Sequence, residues 1–128
     1  MTSNVSNGGG ANATHAQDDC IFCKIIAGDF NTDFVYEDDY VVAFDDINPQ
    51  KPVHTLIVPR EHVINLEDNP SPELLAQLFS AVSKVAKIKG VSNTGYRIVQ
   101  NNGSAAGQTV FHLHVHLLGG NPLSEEIV

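Results

Sequence analysis

Three histidines alternate with apolar residues near the end of the sequence, as His112-Leu113-His114-Val115-His116. Successive side chains of a strand point to opposite faces, so the three imidazoles would share one face of a sheet. A neutral imidazole is a good nucleophile and leaving group, and its ordinary pKa lets a neighbouring histidine carry protons. The pattern predicts nucleophilic chemistry with the central His114 as the nucleophile.

Two other interpretations of these histidines stay open. A solvated strand face could carry them without function, although a face selected for stability alone would carry Thr, Val or Tyr. Alternatively, they could bind a metal. Same-face residues of one strand lie about 6.5–7 Å apart, and three of them cannot easily converge on one zinc ion at about 2.1 Å. One histidine that joins ligands from elsewhere is easier.

A loop with two glycines precedes the histidines. Gly103 and Gly107 permit tight turns that expose backbone N–H groups to an anion. Thr109 stands at the predicted strand entrance, where strict alternation points it away from the histidines unless a bulge turns it back. The loop therefore predicts a phosphate site beside the nucleophile.

Cys20 and Cys23 form a second chemical motif. At a spacing of three residues near a helix start they share a face, and the helix N-terminus favours the thiolate. Such a pair makes a poor structural disulfide, and it supplies only two of the four ligands of a zinc site. His54, in an otherwise apolar run, needs a partner. Metal binding and simple burial of the thiols both remain open.

The helices and strands that must position these residues are predicted from the spacing of apolar residues and from capping, Gly and Pro residues at their ends. Residues 1–17 are polar and rich in Gly, Asn and Ser, which predicts a disordered tail before one domain over residues 18–128. Asp18 or Asp19 would cap a first helix, and Ser71-Pro72-Glu73 begins a second, longer one. The predicted helices cover 20–27 and 72–89, and the predicted strands 34–37, 40–44, 53–58, 96–100 and 109–118.

This order of elements predicts an α+β fold. Strands joined by short connections are usually antiparallel neighbours, so we expect an antiparallel sheet of about five strands with two helices on one side. No apolar run approaches the length that crosses a membrane, and the polar N-terminus has no signal-peptide pattern. We therefore expect a cytoplasmic protein with no membrane partner.

The charge balance bears on partners. Seven basic residues face fifteen acidic ones, a net charge of −8. Such a surface repels nucleic acid and anionic lipid at long range. A small phosphorylated ligand held by local donors is favoured over a nucleic acid.

Several collinear blocks resemble the histidine-triad (HIT) superfamily of nucleotide hydrolases and transferases. The triad His112–His116, followed by two apolar residues, matches the motif, and the similarity extends over about residues 20–120. It includes 22–26, 43–49, 52–59, 95–97 and 107–110. Within the superfamily the chain is most similar to the purine-nucleoside phosphoramidases, which are homodimers. It departs from that branch at Thr109, where serine is commoner, and in the tail Asn121–Val128.

The resemblance implies roles by position. His114 would form a nucleotidyl-histidine by attack on the α-phosphorus of a purine nucleotide such as AMP or GMP. His116, Thr109 and His112 would complete the catalytic set. The implied nucleotide-binding residues are Phe22, Phe44, Asp46, Ile47, Asn101, Gly107, Gln108 and Thr109.

The resemblance also implies a structural Zn²⁺ held by Cys20, Cys23, His54 and His112. The activity it implies is hydrolysis of purine nucleoside phosphoramidates. Cleavage of dinucleoside polyphosphates, and a nucleotide-binding interaction module with little catalysis, are the alternatives.

Overall fold

The structure, a computed structural model, describes residues 19–126. The predicted tail over residues 1–17 and the predicted capping residue Asp18 lie outside the described residues. No helix within 19–126 is both long enough and apolar enough to span a bilayer.

Five strands form one antiparallel sheet in the order β1-β2-β3-β5-β4. The α+β fold with five antiparallel strands and two helices is therefore confirmed. The strands are β1 (Tyr36–Glu37), β2 (Val41–Asp45), β3 (Val53–Pro59), β4 (Tyr96–Val99) and β5 (Val115–Gly119). Short 3-10 turns at Leu66–Asp68 and Ser104–Ala106 lie in the connections.

The two helices begin with different caps. In α2 (Pro72–Ile88) the Ser71 hydroxyl accepts from the Leu74 N–H, as its sequence predicts. In α1 (Ile21–Ala27) the cap is not Asp19, as predicted, but the Cys20 thiol, whose sulfur accepts from the Cys23 N–H. The start of the first helix thus depends on a cysteine that also faces a histidine cluster.

The helices pack on opposite faces of the sheet, so the prediction that both lie on one side is wrong. Val41, Ala43 and Ile57 point toward α2, and with its apolar stripe they form the larger core. Their neighbours Val42, Phe44, Leu56 and Val58 point the other way and pack against α1. Continuous runs of apolar residues in β2 and β3 make this two-sided burial favourable.

β5 begins at Val115 and not at Thr109, as predicted. His112 and His114 therefore precede the strand, in a segment without ladder pairing that includes a bend at His112. Alternation of faces nevertheless holds: Leu113, Val115 and Leu117 are buried in the core beneath α2. The alternating histidines point away from this core.

Candidate active site

His114 has one ring nitrogen fixed by the backbone. Its side chain is 8% exposed, and Nδ1 lies 2.7 Å from the His112 carbonyl oxygen. A carbonyl only accepts hydrogen bonds, so Nδ1 carries the hydrogen and donates it. In the neutral ring the lone pair therefore resides on Nε2, which is the nucleophilic nitrogen.

Burial keeps this imidazole neutral. Desolvation lowers the pKa of His114 below its ordinary value, and the charge of His112 acts in the same direction. The hydrogen bond to the His112 carbonyl and the Asp46 carboxylate oppose that shift but do not cancel it. At neutral pH the Nε2 lone pair is thus available for attack on an electrophile.

A chain of hydrogen bonds fixes the tautomer of His116. The Gln50 N–H donates to His54 Nδ1 at 3.0 Å, so the hydrogen of a neutral His54 is on Nε2. That Nε2–H donates to His116 Nδ1 at 2.9 Å, which leaves the hydrogen of His116 on its own Nε2. Asp46 Oδ2 lies 3.5 Å from His54 Nε2. His116 therefore presents an N–H donor, whereas His114 presents a lone pair.

The two rings lie side by side, with centroids 4.9 Å apart. Burial, followed by the charges of His114 and His54, lowers the pKa of His116 to about 4 despite the opposing Asp46 carboxylate. In one small site, neutral His114 thus offers a hydrogen-bond acceptor and neutral His116 offers a donor. Such a pair suits attack at a phosphorus whose leaving group needs a proton.

Aromatic side chains line the same region. The rings of Phe22 and Phe44 meet edge to face, with their centroids 5.6 Å apart. Phe22 contacts the His114 ring in the same manner, with a centroid distance of 5.1 Å. Both phenylalanines belong to the core under α1. Ile47, the third predicted pocket residue, is 92% exposed and lies outside this core, so any apolar wall it offers is at the rim.

Cys20, Cys23, His62 and His112 form a compact cluster near His114. His112 Nδ1 lies 3.4 Å from Cys20 Sγ and 3.5 Å from Cys23 Sγ. His62 Nδ1 lies 3.3 Å from Cys23 Sγ and 3.2 Å from His112 Nδ1. The expected ligand set is thus corrected at one position: His54 belongs with His116 and Asp46, and His62 stands in its place.

These four residues fit a tetrahedral metal ion. A zinc site places its sulfur and nitrogen ligands about 3.5 Å apart and two nitrogens about 3.4 Å apart, close to the distances observed. His112 Nε2 donates to the Pro59 carbonyl at 2.8 Å, so in the neutral ring the Nδ1 lone pair points into the cluster. Hydrogen bonds from Cys23, His112 and His62 outweigh burial and lower the pKa of the Cys20 thiol, which favours the thiolate that a metal binds.

His112 itself is fully buried, with both ring nitrogens engaged. The catalytic role expected for its side chain is therefore not supported by its surroundings. Its carbonyl, which accepts from His114, is the part that reaches the nucleophile.

Most hydrogen-bonding groups of the predicted phosphate loop are paired with other groups of the protein. The Gly107 N–H donates to the Ser104 carbonyl at 3.0 Å and closes a 3-10 turn, so it does not face an anion. Gln108 is buried, and all four hydrogen-bonding positions of its carboxamide are used inside the protein, so its side chain has no position left for the predicted nucleotide contact. Asn101 is half-buried, and its carbonyl accepts from Gln100.

Thr109 is exposed in a pocket that it shares with Cys20 and His62. Among residues 19–126 no hydrogen bond joins its hydroxyl to His114 or His116. Asp46 does lie beside the His54–His116 pair, and its Oδ1 accepts from the Asn48 N–H at 2.8 Å. The second carboxylate oxygen faces His54.

Sequence reasoning missed His62. It lies in an irregular connection after β3, where no periodicity assigns its side chain to a face. A signal was nevertheless present, because a cysteine pair lacks two ligands and few histidines stood unassigned in the sequence.

Comparison with known proteins decides the family. A family model described as HIT domain matches residues 27–123. The chain belongs to the HIT family. A HIT-like protein of Synechococcus elongatus is 46% identical over 109 residues, which are 84% of this chain and 95% of that protein. The purine nucleoside phosphoramidase of Escherichia coli K12 is 40% identical over 108 residues, 83% of this chain and 91% of the enzyme.

Solved HIT structures share the fold. A HIT family hydrolase from Clostridium thermocellum superimposes with a TM-score of 0.84 at 45% identity. The match covers 88% of this HIT chain and 99% of the hydrolase.

The low pKa of His116 makes stability depend on pH. Its folded value of about 4 lies below the ordinary 6.5, so between these values the unfolded chain binds more protons. Its stabilising contribution is present above about pH 6.5 and is lost as the pH falls through about 4, by at most about 1.4 kcal/mol per pH unit. Urea unfolding across this range should show a flatter pH profile for His116→Gln. Equal slopes in variant and wild type would contradict the assignment.

Proposed function

We propose that this HIT chain hydrolyses purine nucleoside phosphoramidates through a nucleotidyl-His114 intermediate. The observation that carries the proposal is the pairing of two neutral imidazoles with opposite tautomers. His114 offers the Nε2 lone pair and His116 offers an Nε2–H. The E. coli relative named as a purine nucleoside phosphoramidase supports the substrate class.

The reaction would proceed in two displacements. His114 Nε2 bonds to the α-phosphorus as the P–N bond breaks, and the departing nitrogen, which accepts a hydrogen bond from His116 Nε2–H, takes one proton from solvent. Water then attacks the same phosphorus, the bond to Nε2 breaks, and the proton that water loses returns to solvent. One proton is consumed and one released, so the balance closes with a nucleoside monophosphate and a free amine.

The hydrogen bond to the His112 carbonyl has a role in each step. When His114 bonds to phosphorus its ring becomes cationic, and the Nδ1–H donor then strengthens its bond to the fixed carbonyl. The ring cannot rotate away while that bond holds. Positioning and charge stabilisation are the main requirements of phosphoryl transfer.

The base would lie against Phe22 and Phe44, and Asp46 would accept hydrogen bonds from the ribose hydroxyls. A purine buries more apolar area against these rings than a pyrimidine does. The pocket is therefore proposed to prefer AMP and GMP over CMP.

Replacing His114 tests the chemistry. We expect His114→Ala to lose several orders of magnitude in turnover of an adenosine phosphoramidate, because the covalent route has no other nucleophile. Calorimetry should still show AMP binding, tighter than CMP binding. Turnover near wild type would refute the mechanism. A wild type that cleaves only dinucleoside polyphosphates, or binds nucleotide without turnover, would replace the proposed activity.

We further propose a structural Zn²⁺ bound by Cys20, Cys23, His62 and His112. Four protein ligands would close the coordination shell and leave no position for a reactive water. The ion would supply a cross-link between the start of α1, the connection after β3 and the histidine segment. These ligands are distant in sequence, so metal affinity would add to folding stability.

Matched histidine variants distinguish the two ligand sets. His62→Ala should lower the zinc content of the purified, untagged protein and its melting temperature, because one ligand is lost. His54→Ala should retain the metal, since its ring faces His116. Elemental analysis gives the content. Retention of zinc in His62→Ala would contradict the proposed ligand set, and retention there with loss in His54→Ala would restore the set that includes His54.

We also propose a homodimer formed through β4. This strand is an edge of the described sheet, and Tyr96 and Ile98 on it are exposed. An unpaired edge with apolar side chains is a template for pairing with another chain, and a second copy offers the same edge in a symmetric arrangement.

Light scattering tests this interface. The wild type should have the mass of a dimer and Ile98→Asp that of a monomer, because the substitution puts a charge into the buried contact. Phe30→Asp, at an exposed loop residue, is the control and should remain dimeric. A monomeric wild type at micromolar concentration would exclude the dimer.

A further inference from the structure

The histidine segment is attached to the protein without a β-ladder. Pairing between β3 and β5 stops at Ile57 and Val115, so residues 108–114 lie beyond the ladder. Buried backbone groups still need partners. Leu113 N–H donates to the Val63 carbonyl at 2.7 Å, and the His112 ring donates to the Pro59 carbonyl.

Gln108 supplies further links across the same gap. Its side-chain Nε2 donates to the Ile64 carbonyl at 2.8 Å and to the Val110 carbonyl at 3.1 Å. Its Oε1 accepts from Asn65 Nδ2 at 2.9 Å and from the Gly103 N–H at 2.8 Å. A carboxamide has two donors and two acceptor lone pairs, so its capacity is fully used. The residue is 3% exposed.

We propose that Gln108 is a positioning residue for the nucleophile. Its carboxamide joins the 62–65 connection to the histidine segment, in place of the missing ladder bonds. It thereby sets the course of the backbone that leads to the His112 carbonyl, which orients His114. The catalytic part of this inference rests on the proposed function.

The link requires an amide. A glutamate has nearly the same shape, but its carboxylate would direct an acceptor at the Ile64 and Val110 carbonyls, which are themselves acceptors. The bonds from Asn65 and Gly103 would survive. Gln108→Glu therefore removes the donor that reaches the Ile64 carbonyl across the gap and the donor that reaches Val110 within the histidine segment, with little change in volume.

The principal test measures turnover, nucleotide binding and local structure of the full chain. We expect Gln108→Glu to lower kcat on an adenosine phosphoramidate about a hundredfold, the cost of a misplacement of about 1 Å. AMP affinity should stay at its wild-type value, because Phe22, Phe44 and Asp46 lie on other elements. Hydrogen exchange at the Leu113 amide should accelerate, because that amide reports the register of the two segments.

A milder variant covers the case in which Gln108→Glu does not fold. Asn65→Asp keeps Gln108 but turns the donor at its Oε1 into an acceptor, so the same effects should appear in smaller size. Gln77→Glu is the matched control on α2, and it should leave kcat, AMP affinity and Leu113 exchange unchanged.

The outcomes separate this inference from the proposed function. Wild-type kcat and Leu113 protection in both Gln108→Glu and Asn65→Asp would overturn it. An equal loss of AMP affinity and kcat would overturn it too, since that indicates general disruption of the fold. If the wild type has no phosphoramidase turnover, the proposed function fails. Leu113 exchange then decides alone whether Gln108 positions the segment.

Discussion

The hydrogen bond from His114 Nδ1 to the His112 carbonyl joins the two chemical centres of this protein. On one side it determines which nitrogen of His114 is nucleophilic. On the other side it depends on the position of His112, whose ring is held by the thiol cluster and by the Pro59 carbonyl. The orientation of the His114 ring thus depends on the position of His112, a buried residue whose ring nitrogens are both engaged.

Alternation along β5 and the segment before it places the core residues on one face of the sheet and the histidines on the other. Leu113, Val115 and Leu117 fill the core beneath α2, and the intervening histidines point to the other side. There α1 covers only part of the surface, through contacts of Phe22 with Phe44 and His114. The short α1, with its cap, carries both cysteines of the thiol–histidine cluster and the Phe22 ring that contacts His114, so one helix supports both groups of residues.

The described histidines divide into two groups with different surroundings. His62 and His112 face two thiols in a buried cluster that fits a metal ion. His54 and His116 form a hydrogen-bonded pair beside the Asp46 carboxylate, next to His114. Burial lowers the pKa of both His114 and His116, so at neutral pH the two rings lie side by side as neutral tautomers.

Periodicity within the sequence was enough to predict the helix over 72–89, the antiparallel strands and the shared face of the three histidines, because these depend on local spacing. The prediction that His114 is the nucleophile also rests on spacing and family resemblance. The placement of the helices on opposite faces needed the tertiary structure, since β2 and β3 carry apolar residues on both faces and do not say which side each helix covers. The sequence also did not show that the ladder begins only at Val115. The alternation of histidine and apolar residues continues through residues 112–114, which have no ladder partners. The exchange of His54 for His62 in the cysteine cluster had the same origin: which histidine reaches two thiols depends on how an irregular connection folds back, and only long-range contacts decide that.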